Sequence, residues 1–429
     1  MPQCAARARL WADLRAHAFG GGGARRIGAE VELLALAEET GAACPIWPEP
    51  ERSAPPSTLA FLRRLAARRG WAERPASAGG PAFVVPGQGV LSFEPGGQLE
   101  YSTVPCETAT ALVENLAAVV PPLRAAAREE GIALVAAGLD PVNPLARVPL
   151  RLRTERYLRM DDYFATIGPA GARMMRQTAA LQVSVDAGGD PGAVWRALNA
   201  AAPVVVSLFA NSPADAGRPA GRPSARAALW RAVDPLRTGL FEPAPDPAAA
   251  YLDFALRAPA FLLGRRAGAY RPFAEWLDAG AVGIAEWRAH LSTLFPEVRP
   301  RGHFEVRSAD AVEPEAYPAA VALLAALAYD PAARREAEDV LGPPDPDALR
   351  RASERGMDDP ALARAAAALA EIALRGAARL GPAYFAPAAL EAAADFFRRY
   401  ALQGRSPSAD GVWRPSASSA WSAASAVSP

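Results

Sequence analysis

Polar residues spaced two positions apart occur in four stretches that are far apart in the sequence. In each stretch they alternate with apolar residues, which predicts a β-strand whose polar side chains share one face. Carboxylates are rarely buried unless they are paired or bind a metal. The four sets are Glu30/Glu32, Gln98/Glu100 with Glu94 before them, Gln182/Ser184/Asp186, and Glu305/Arg307.

Four polar strand faces in one sheet would bring several carboxylates and an amide together. Converging carboxylates repel one another unless a cation neutralises them. All-oxygen ligands suit Mg²⁺, with Mn²⁺ as the alternative, whereas zinc prefers histidine and cysteine. Arg307 beside Glu305 would hold a fixed positive charge against a phosphate. Any one pair alone is more often a solvated strand face or a surface ion pair. The prediction therefore depends on four sets in one chain.

The segment Glu94-Pro95-Gly96-Gly97 predicts a tight turn between two strands. Proline presets one φ angle, and glycine accepts φ values that other residues avoid. We expect this turn to let Glu94 and Glu100 reach the same ion.

Composition excludes several classes of chemistry. The chain of 429 residues has 46 basic residues, and all of them are arginine. The absence of lysine excludes a P-loop lysine, a Schiff-base lysine and a kinase-type strand lysine. Balanced charge and a pI near 6.9 predict no nucleic-acid partner. No apolar run approaches the ~20 residues of a membrane span. Three widely spaced cysteines, Cys4, Cys44 and Cys106, predict no disulfide framework and a cytoplasmic location.

The hydrophobic periodicity predicts an α+β protein in which strands far apart in sequence form an antiparallel sheet. The sheet's polar face would line a cleft and helices would cover its back. We expect one catalytic domain over residues 1–402, with the motifs in 26–310, a mostly helical part in 311–402 and a disordered tail in 403–429. Strands are predicted at 26–35, 98–102, 132–137, 174–186 and 303–308, and a pair of strands broken at Pro86-Gly87 is predicted over 83–93. Helices are predicted at 5–19, 57–70, 108–130, 153–167, 191–209, 226–231, 247–257, 283–294, 313–328, 331–340, 346–355, 360–378 and 387–402.

Nine segments, in order along residues 26–310, carry a resemblance to a known family. They are IGAEVELL (27–34), FEPGGQLEYS (93–102), GLDP (138–141), RYLRMDDYF (156–164), MMRQTAALQVSVD (174–186), LFANSP (208–213), W-x-x-x-DPLRTG (230–239), YLDFALRAP (251–259) and HLSTLFPEVRPRGHFEVRSAD (290–310). The series resembles the plant-type glutamate–cysteine ligases, which are glutamine-synthetase-like carboxylate–amine ligases.

The resemblance implies a curved, six-stranded antiparallel sheet whose concave face is the active site. It also implies a two-step reaction. The γ-carboxylate of L-glutamate attacks ATP to give a γ-glutamyl phosphate, and the amine of L-cysteine then displaces phosphate. The products would be γ-glutamylcysteine, ADP and phosphate, and the dipeptide would serve glutathione or ergothioneine synthesis.

The resemblance also implies roles for individual residues. It implies two metal sets, one of Glu30, Gln182 and Glu305 and the other of Glu32, Glu94 and Glu100. Arg307 and Glu305 would be catalytic, with Arg307 and Arg299 at the phosphates of ATP. Arg226, Arg176, Thr178 and Arg237 would bind substrate. Ala225 departs from the family, whose plant-type members carry an aromatic residue before this arginine, and the paired cysteines of plant enzymes have no evident counterpart.

Three alternatives stay open from the sequence. The first is a ligase that uses a different amine, and the second is a guanidino-type kinase on the same architecture. The third is a degenerate, ligand-sensing homologue without activity, which the intact carboxylate set disfavours. The sequence does not give the oligomeric state.

Overall fold

The described part of the chain forms eleven β-strands and fifteen α-helices. The structure is a computed structural model that describes residues 2–20, 23–51, 54–76, 79–241, 244–265 and 268–417. The strands are β1 Ile27–Ala37, β2 Ala72–Pro75, β3 Pro81–Val85, β4 Gly89–Phe93, β5 Leu99–Thr103, β6 Ile132–Val135, β7 Ala180–Asp186, β8 Ala214–Asp215, β9 Arg218–Pro219, β10 Val298–Pro300 and β11 His303–Asp310.

The helices lie between these strands and beyond the last one. They are α1 Pro2–His17, α2 Thr58–Arg69, α3 Ala109–Glu129, α4 Glu155–Ala165, α5 Pro169–Gln177, α6 Pro191–Leu208, α7 Ala225–Val233, α8 Pro247–Arg257, α9 Phe273–Asp278, α10 Ile284–Leu291, α11 Tyr317–Tyr329, α12 Pro331–Leu341, α13 Pro346–Arg355, α14 Pro360–Arg379 and α15 Pro387–Arg399.

One large antiparallel sheet organises the described residues. Its order is β10-β11-β7-β1-β5-β4-β3-β2, and β6 pairs with the second half of β1, which makes nine strands. The expected α+β class and antiparallel sheet are confirmed, but the expected count of six strands is wrong. Two short edge strands give no alternating signal: β2 is exposed throughout, and β10 has three residues and ends in proline. β8 and β9, which have two residues each, form a separate hairpin.

Strand β1 is the central strand of the sheet, and its side chains point alternately to the two faces. Glu30 and Glu32 are half-buried, while Val31 and Leu33 between and beside them are buried in the core. The alternation follows from the two-residue period of a strand. Register places Glu30 opposite Gln182 of β7 and Ser102 of β5, and it places Glu32 opposite Glu100. Glu30, Glu32, Glu100 and Gln182 therefore share one face of one sheet.

Helices α3, α6 and α11 pack against the strands. All thirteen residues of α11 are buried, and the helix is apolar on every side, as expected of a core helix. Among the described residues, no single helix is long and apolar enough to cross a membrane. Residues Pro314–Tyr329 and Pro331–Leu341 pass such a test only when they are joined, across a bend of 101°.

The predicted strand at 174–186 is wrong in its first part. Residues up to Gln177 belong to α5, and the strand begins at Ala180. Proline at the first helical position and a run of methionine and arginine favour a helix there, and the alternation of strand type begins only after Thr178. This junction matters because it forms one wall of the cleft described below.

The chain after residue 403 differs from the predicted disordered tail as far as the structure describes it. Trp413 packs against a small cluster that includes Leu34 and Val135, and the Ser416 backbone N–H donates to the Glu38 carbonyl at 3.0 Å. Residues 418–429 lie outside the described residues. The single domain over 1–402 stays a prediction, although one core cluster has members from Leu10 to Ala401.

Candidate active site

A cleft of about 830 Å³ lies over the polar face of the sheet. Strands β1, β2, β3, β4, β5, β7, β10 and β11 contribute to its lining, and helices α4, α5 and α7 add residues beside them. The cleft brings together eight of the predicted site residues: Glu30, Glu32, Glu94, Glu100, Thr178, Gln182, Arg299 and Arg307.

Two glutamates of β1 lie on the floor of the cleft. Glu32 accepts hydrogen bonds from the Gln182 amide at 2.7 Å and from the Ala180 backbone N–H at 2.8 Å. Burial, and then the charge of Glu100, raises the pKa of Glu32 to about 7. Burial followed by the charges of Glu100 and Glu305 raises the pKa of Glu30 to about 8. The positive charge near these two carboxylates is too small to keep their pKa values in the ordinary range of a glutamate.

The Glu-Pro-Gly-Gly turn holds a second pair of carboxylates. A Cβ on Gly96 would lie 2.3 Å from the Arg176 carbonyl oxygen, and Gly97 has a φ of +97°, so both positions need glycine. Glu100 accepts from Ser102 Oγ at 2.8 Å. Burial, and then the charges of Glu100 and Glu32, raises the pKa of Glu94 well above its usual range.

Gln98 anchors this turn rather than binding a ligand. Its Oε1 accepts from the Gly96 backbone N–H at 3.0 Å, and its Nε2 donates to the Thr178 carbonyl at 2.8 Å. The turn is thereby tied to the junction between α5 and β7. Thr178 lines the cleft at that junction, and its hydroxyl donates back to the Met174 carbonyl at 2.7 Å.

Glu305 is surrounded by arginines. Arg299 Nη2 lies 2.7 and 2.9 Å from its two oxygens, Arg301 Nη1 lies 3.0 Å from Oε2, and Arg307 also donates to it. Burial opposes ionisation, but the guanidinium of Arg299, followed by those of Arg307 and Arg301, holds the pKa of Glu305 well below its usual range. Glu305 is 1% exposed and lies behind the cleft lining. The arrangement makes Glu305 the counter-ion of the arginines.

Gln182 connects the carboxylates with the arginines. Its Nε2 donates to Glu32, and its Oε1 accepts from Arg307. The Arg307 guanidinium also lies 5.2 Å from the centre of the Trp230 ring, within the range of a cation–π contact. Arg307 is thus held over the floor of the cleft by an amide, a carboxylate and an aromatic ring.

The described residues contain no group of three or more His, Cys, Asp or Glu side chains placed to hold a metal ion as they stand. Even so, the chemistry of Glu30, Glu32, Glu94 and Glu100 fits a hard cation. Burial, and then their mutual repulsion, raises the pKa values of three of them, and their donor atoms are all oxygen. Glu305 and Gln182 do not offer free oxygens here, because arginines occupy them.

Three arginines predicted to bind substrate lie outside the cleft lining. Arg237 is 0% exposed, with Thr293 and the Pro259 carbonyl as acceptors, so the structure does not bring it to the cleft. Arg176 pairs with Asp161 on α4. Arg226 is 3% exposed and donates to the Arg307 carbonyl at 2.8 Å.

Sequence reasoning gave no role to several cleft residues. Arg156 and Tyr157 of α4 line the wall, and Arg156 donates to Ser292 Oγ and the Ser292 carbonyl at 2.9 and 2.8 Å. Their signal was the RYLRMDDYF segment, which marked the family without assigning roles. Arg301 lies in the matching segment 290–310 but was given no role, and Arg74 of the edge strand β2 carried no sequence signal.

A second cavity, of about 810 Å³, lies between the end of β6, α15 and residues 407–413. It holds none of the predicted site residues. Of its four carboxylates, Glu313, Asp395 and Asp410 pair with arginines, namely Arg124, Arg398 and Arg399. The convergence of carboxylates and arginines over the sheet therefore selects the first cleft as the candidate active site.

Comparisons with known proteins agree with the sequence resemblance. The family model of glutamate–cysteine ligase family 2 matches residues 26–379. Glutamate–cysteine ligase EgtA of Mycolicibacterium smegmatis is 36% identical over 344 residues, a match that covers 76% of this chain and 78% of the relative. The chloroplastic glutamate–cysteine ligase of Nicotiana tabacum is 32% identical over 240 residues, which cover 52% of this chain and 46% of the relative.

A solved structure has a similar fold. The glutamate–cysteine ligase of Francisella tularensis, in complex with AMP, superposes with a TM-score of 0.53 at 12% identity, over 91% of this chain and 84% of that one. At this identity the likeness shows the fold alone. Because the family model spans most of the sequence and includes every strand that lines the cleft, the chain belongs to glutamate–cysteine ligase family 2.

Proposed function

We propose that this protein joins the γ-carboxylate of L-glutamate to the amine of L-cysteine at the expense of ATP. The γ-carboxylate attacks the terminal phosphorus of ATP, which gives γ-glutamyl phosphate and ADP. The cysteine amine then attacks the activated carbonyl carbon, and the C–O bond to phosphate breaks. The products are γ-glutamylcysteine and inorganic phosphate, and the amine loses one proton.

One observation carries the proposal: four glutamates and five arginines, Arg307 and Arg299 among them, line a single cleft. Phosphoryl transfer needs positioning and charge neutralisation more than it needs a covalent nucleophile. Arg307 and Arg299 supply fixed positive charge for phosphate oxygens. In a chain without lysine, arginine side chains can hold the phosphate in this way. The alternative of a kinase is disfavoured by membership of the ligase family.

The carboxylates are proposed to hold Mg²⁺. Glu94, Glu100 and Glu32 form the best set. Burial, and then the charge of Glu100, raises the pKa values of Glu94 and Glu32. No arginine in the described part of the chain hydrogen-bonds to these three carboxylates, and Glu30 lies beside them. A bound Mg²⁺ would neutralise phosphate charge during transfer. Glu305 is proposed to orient Arg307 and Arg299, so its role differs from the metal role that the resemblance implied.

The acceptor's side chain is proposed to lie against an apolar part of the wall. Tyr157, Met160, Met174 and Met175 line the cleft next to Glu94. Thioether and aromatic surfaces suit a thiol, whereas a hydroxyl there would lose its hydration without a partner. This is the support for cysteine over serine as the amine.

Glutamate is proposed to bind beside this apolar part of the wall, near Thr178 and Arg156. Arg156 lines the cleft close to Glu94 and offers a cation for a substrate carboxylate. Three free cysteines are in keeping with a cytoplasmic location, where the dipeptide would enter glutathione or ergothioneine synthesis.

An ADP-release assay with glutamate, Mg²⁺ and each amino acid in turn tests the proposal. We expect ADP and free phosphate in equal amounts with cysteine, and far less with serine or alanine. Release of ADP without free phosphate would indicate a kinase. No release with glutamate and cysteine would refute the main claim, and stronger release with another amine would reassign the acceptor.

A further inference from the structure

A β-bulge lies in β11 at the arginine that faces the cleft. Val306 pairs with Val183 and Ala309 pairs with Leu181, so two residues of β11 oppose the single residue between them on β7. The two residues are Arg307 and Ser308, opposite Gln182. A bulge of this kind bends its strand and changes the direction of a side chain, and bulges are frequent next to active sites.

The bulge changes which face the end of β11 presents. Val183 and Leu181 belong to the hydrophobic core, so their partners Val306 and Ala309 face the core as well. Without the extra residue, Asp310 would share the core face with Val306. With it, Asp310 lies on the same side of the sheet as Arg307.

Asp310 is fully enclosed and well bonded there. Ser212 Oγ and the Asn211 backbone N–H donate to its Oδ2 at 2.7 and 2.8 Å, and Ser224 Oγ donates to Oδ1 at 2.9 Å. A Cβ on Gly138 would lie 2.4 Å from Asp310 Cγ, so glycine leaves the room that this carboxylate occupies. The position of Asp310 is therefore strongly fixed.

Arg226 connects Asp310 to the bulge. Its Nη1 lies 3.7 Å from Asp310 Oδ1, and its Nη2 donates to the carbonyl of Arg307 at 2.8 Å. On the other side, the Arg307 backbone N–H donates to the Glu297 carbonyl at 2.9 Å, and Ser308 Oγ donates to Glu297 Oε2 at 2.6 Å. The bulged residues are thus held from both flanks by buried groups.

We propose that Asp310 is a positioning residue for the ligase reaction, which acts through Arg226 to fix the bulge that directs Arg307 into the cleft. The inference rests on the proposed function for its kinetic readout. It differs from the role predicted for Arg226 at the glutamate carboxylate, because the contacts of Arg226 are with Asp310 and the Arg307 carbonyl.

The test compares Asp310→Asn with the wild type in two independent measurements. In steady-state kinetics we expect kcat to fall about 10- to 100-fold, while the KM for glutamate changes less than about threefold, because the loss concerns the orientation of Arg307 during phosphoryl transfer. In hydrogen exchange we expect faster exchange in a peptide that covers 303–310. Arg231→Met is the matched control, since Arg231 is also on α7 but contacts Ser353 instead.

A double-mutant cycle with Arg307→Lys tests the route of the effect. If Asp310 acts through Arg307, Asp310→Asn should cost less than about twofold once Arg307 is already changed. If single variants fold poorly, the double variant Arg226→Met/Asp310→Leu removes both charges and leaves none unpaired, and it should show the same loss of kcat.

The outcomes separate the two proposals. A wild type without ligase activity refutes the proposed function, while the exchange measurement still judges the bulge. Unchanged exchange in 303–310, additive effects in the cycle, or a raised glutamate KM with kcat retained would each overturn the positioning role of Asp310. The last result would restore Arg226 to the glutamate carboxylate.

Discussion

Gln182 is hydrogen-bonded to Glu32 through an Nε2–Oε1 contact of 2.7 Å, although the strand register pairs Gln182 with Glu30. The Gln182 side chain is directed along the strand toward Glu32 because its Oε1 accepts a hydrogen bond from Arg307. One neutral side chain therefore separates the carboxylate side of the cleft from the arginine side. A carboxylate at position 182 would add a fifth negative charge to the four glutamates of the cleft, and a positively charged side chain there would compete with the metal ion.

Replacement of Glu100 by glutamine is expected to abolish turnover without loss of the fold. Burial, and then the charge of Glu100, raises the pKa values of Glu30, Glu32 and Glu94. The charge of Glu100 is therefore unfavourable for the metal-free protein but is needed for a bound cation. We expect at least a 100-fold loss of kcat/KM and a melting temperature equal to or above that of the wild type in EDTA. Glu391→Gln, on the exposed side of α15, is the matched control. Near-normal activity of Glu100→Gln would remove Glu100 from the metal set.

Mg²⁺ is expected to stabilise the protein more at pH 8 than at pH 6. The pKa of Glu32 is about 7 and that of Glu30 about 8, so both side chains are largely protonated at pH 6 and must release protons to bind a cation. If only Glu32 is considered, the apparent affinity for Mg²⁺ should rise about tenfold from pH 6 to pH 8, because the ionised fraction of Glu32 rises by that factor.

Thermal unfolding over a Mg²⁺ titration at each pH measures this effect. Ca²⁺ and Mn²⁺ arms would show how selective the oxygen ligands are. The Glu100→Gln protein should show a much smaller Mg²⁺-dependent shift. Equal stabilisation at pH 6 and pH 8 would contradict a site built from these glutamates.

The sequence predicted the floor of the cleft well because strand alternation has a period of two. Glu30, Glu32 and Glu100 face the same side for that reason, and the paired glycines marked a turn whose Gly97 has a positive φ. Strand periodicity did not find β2 and β10 because they carry no alternating apolar residues, whereas the wrong count of six strands came from the family resemblance.

The sequence could not predict how the arginines divide their contacts. Arg237 and Arg307 both follow recognisable motifs, yet one is enclosed in the core and the other lines the cleft. The difference depends on long-range contacts of Arg237 with Tyr163 of α4 and Thr293 after α10, and on a bulge that two residues of β11 create opposite Gln182. Neither feature has a local signature in residue type or spacing.

Replacement of Arg237 by methionine is expected to lower stability rather than substrate affinity. Arg237 Nε lies 3.1 Å from Asp234 Oδ2, and both residues are buried. Removing one partner of a buried ion pair costs about 3–5 kcal/mol, because the other charge stays buried without its partner. Urea unfolding measures this loss, and the double variant Arg237→Met/Asp234→Leu should recover part of it. A raised KM for glutamate with unchanged stability would instead return Arg237 to the substrate-binding set.

His290 is expected to make the protein sensitive to mild acid. Its ring is buried against Phe273, with ring centres 4.7 Å apart, and its Nε2 lies 2.8 Å from the Ala255 carbonyl oxygen. Burial, and then the charge of Arg237, lowers the pKa of His290 from 6.5 to about 3. Between these two pKa values the unfolded chain binds a proton at His290 that the folded chain does not. The free energy of unfolding is therefore highest above pH 6.5 and decreases as the pH falls toward 3.

The size of this effect follows from the two pKa values. Between pH 7 and pH 5, His290 should cost about 2 kcal/mol of unfolding free energy. Gln at position 290 keeps a donor for the Ala255 carbonyl but does not titrate, so His290→Gln should be less stable at pH 7 and lose less on acidification. Urea unfolding at both pH values gives the comparison, with His17→Gln as the control for a histidine whose side chain is 61% exposed. If wild type and His290→Gln lose the same free energy between pH 7 and pH 5, the buried imidazole is not the acid-sensitive group.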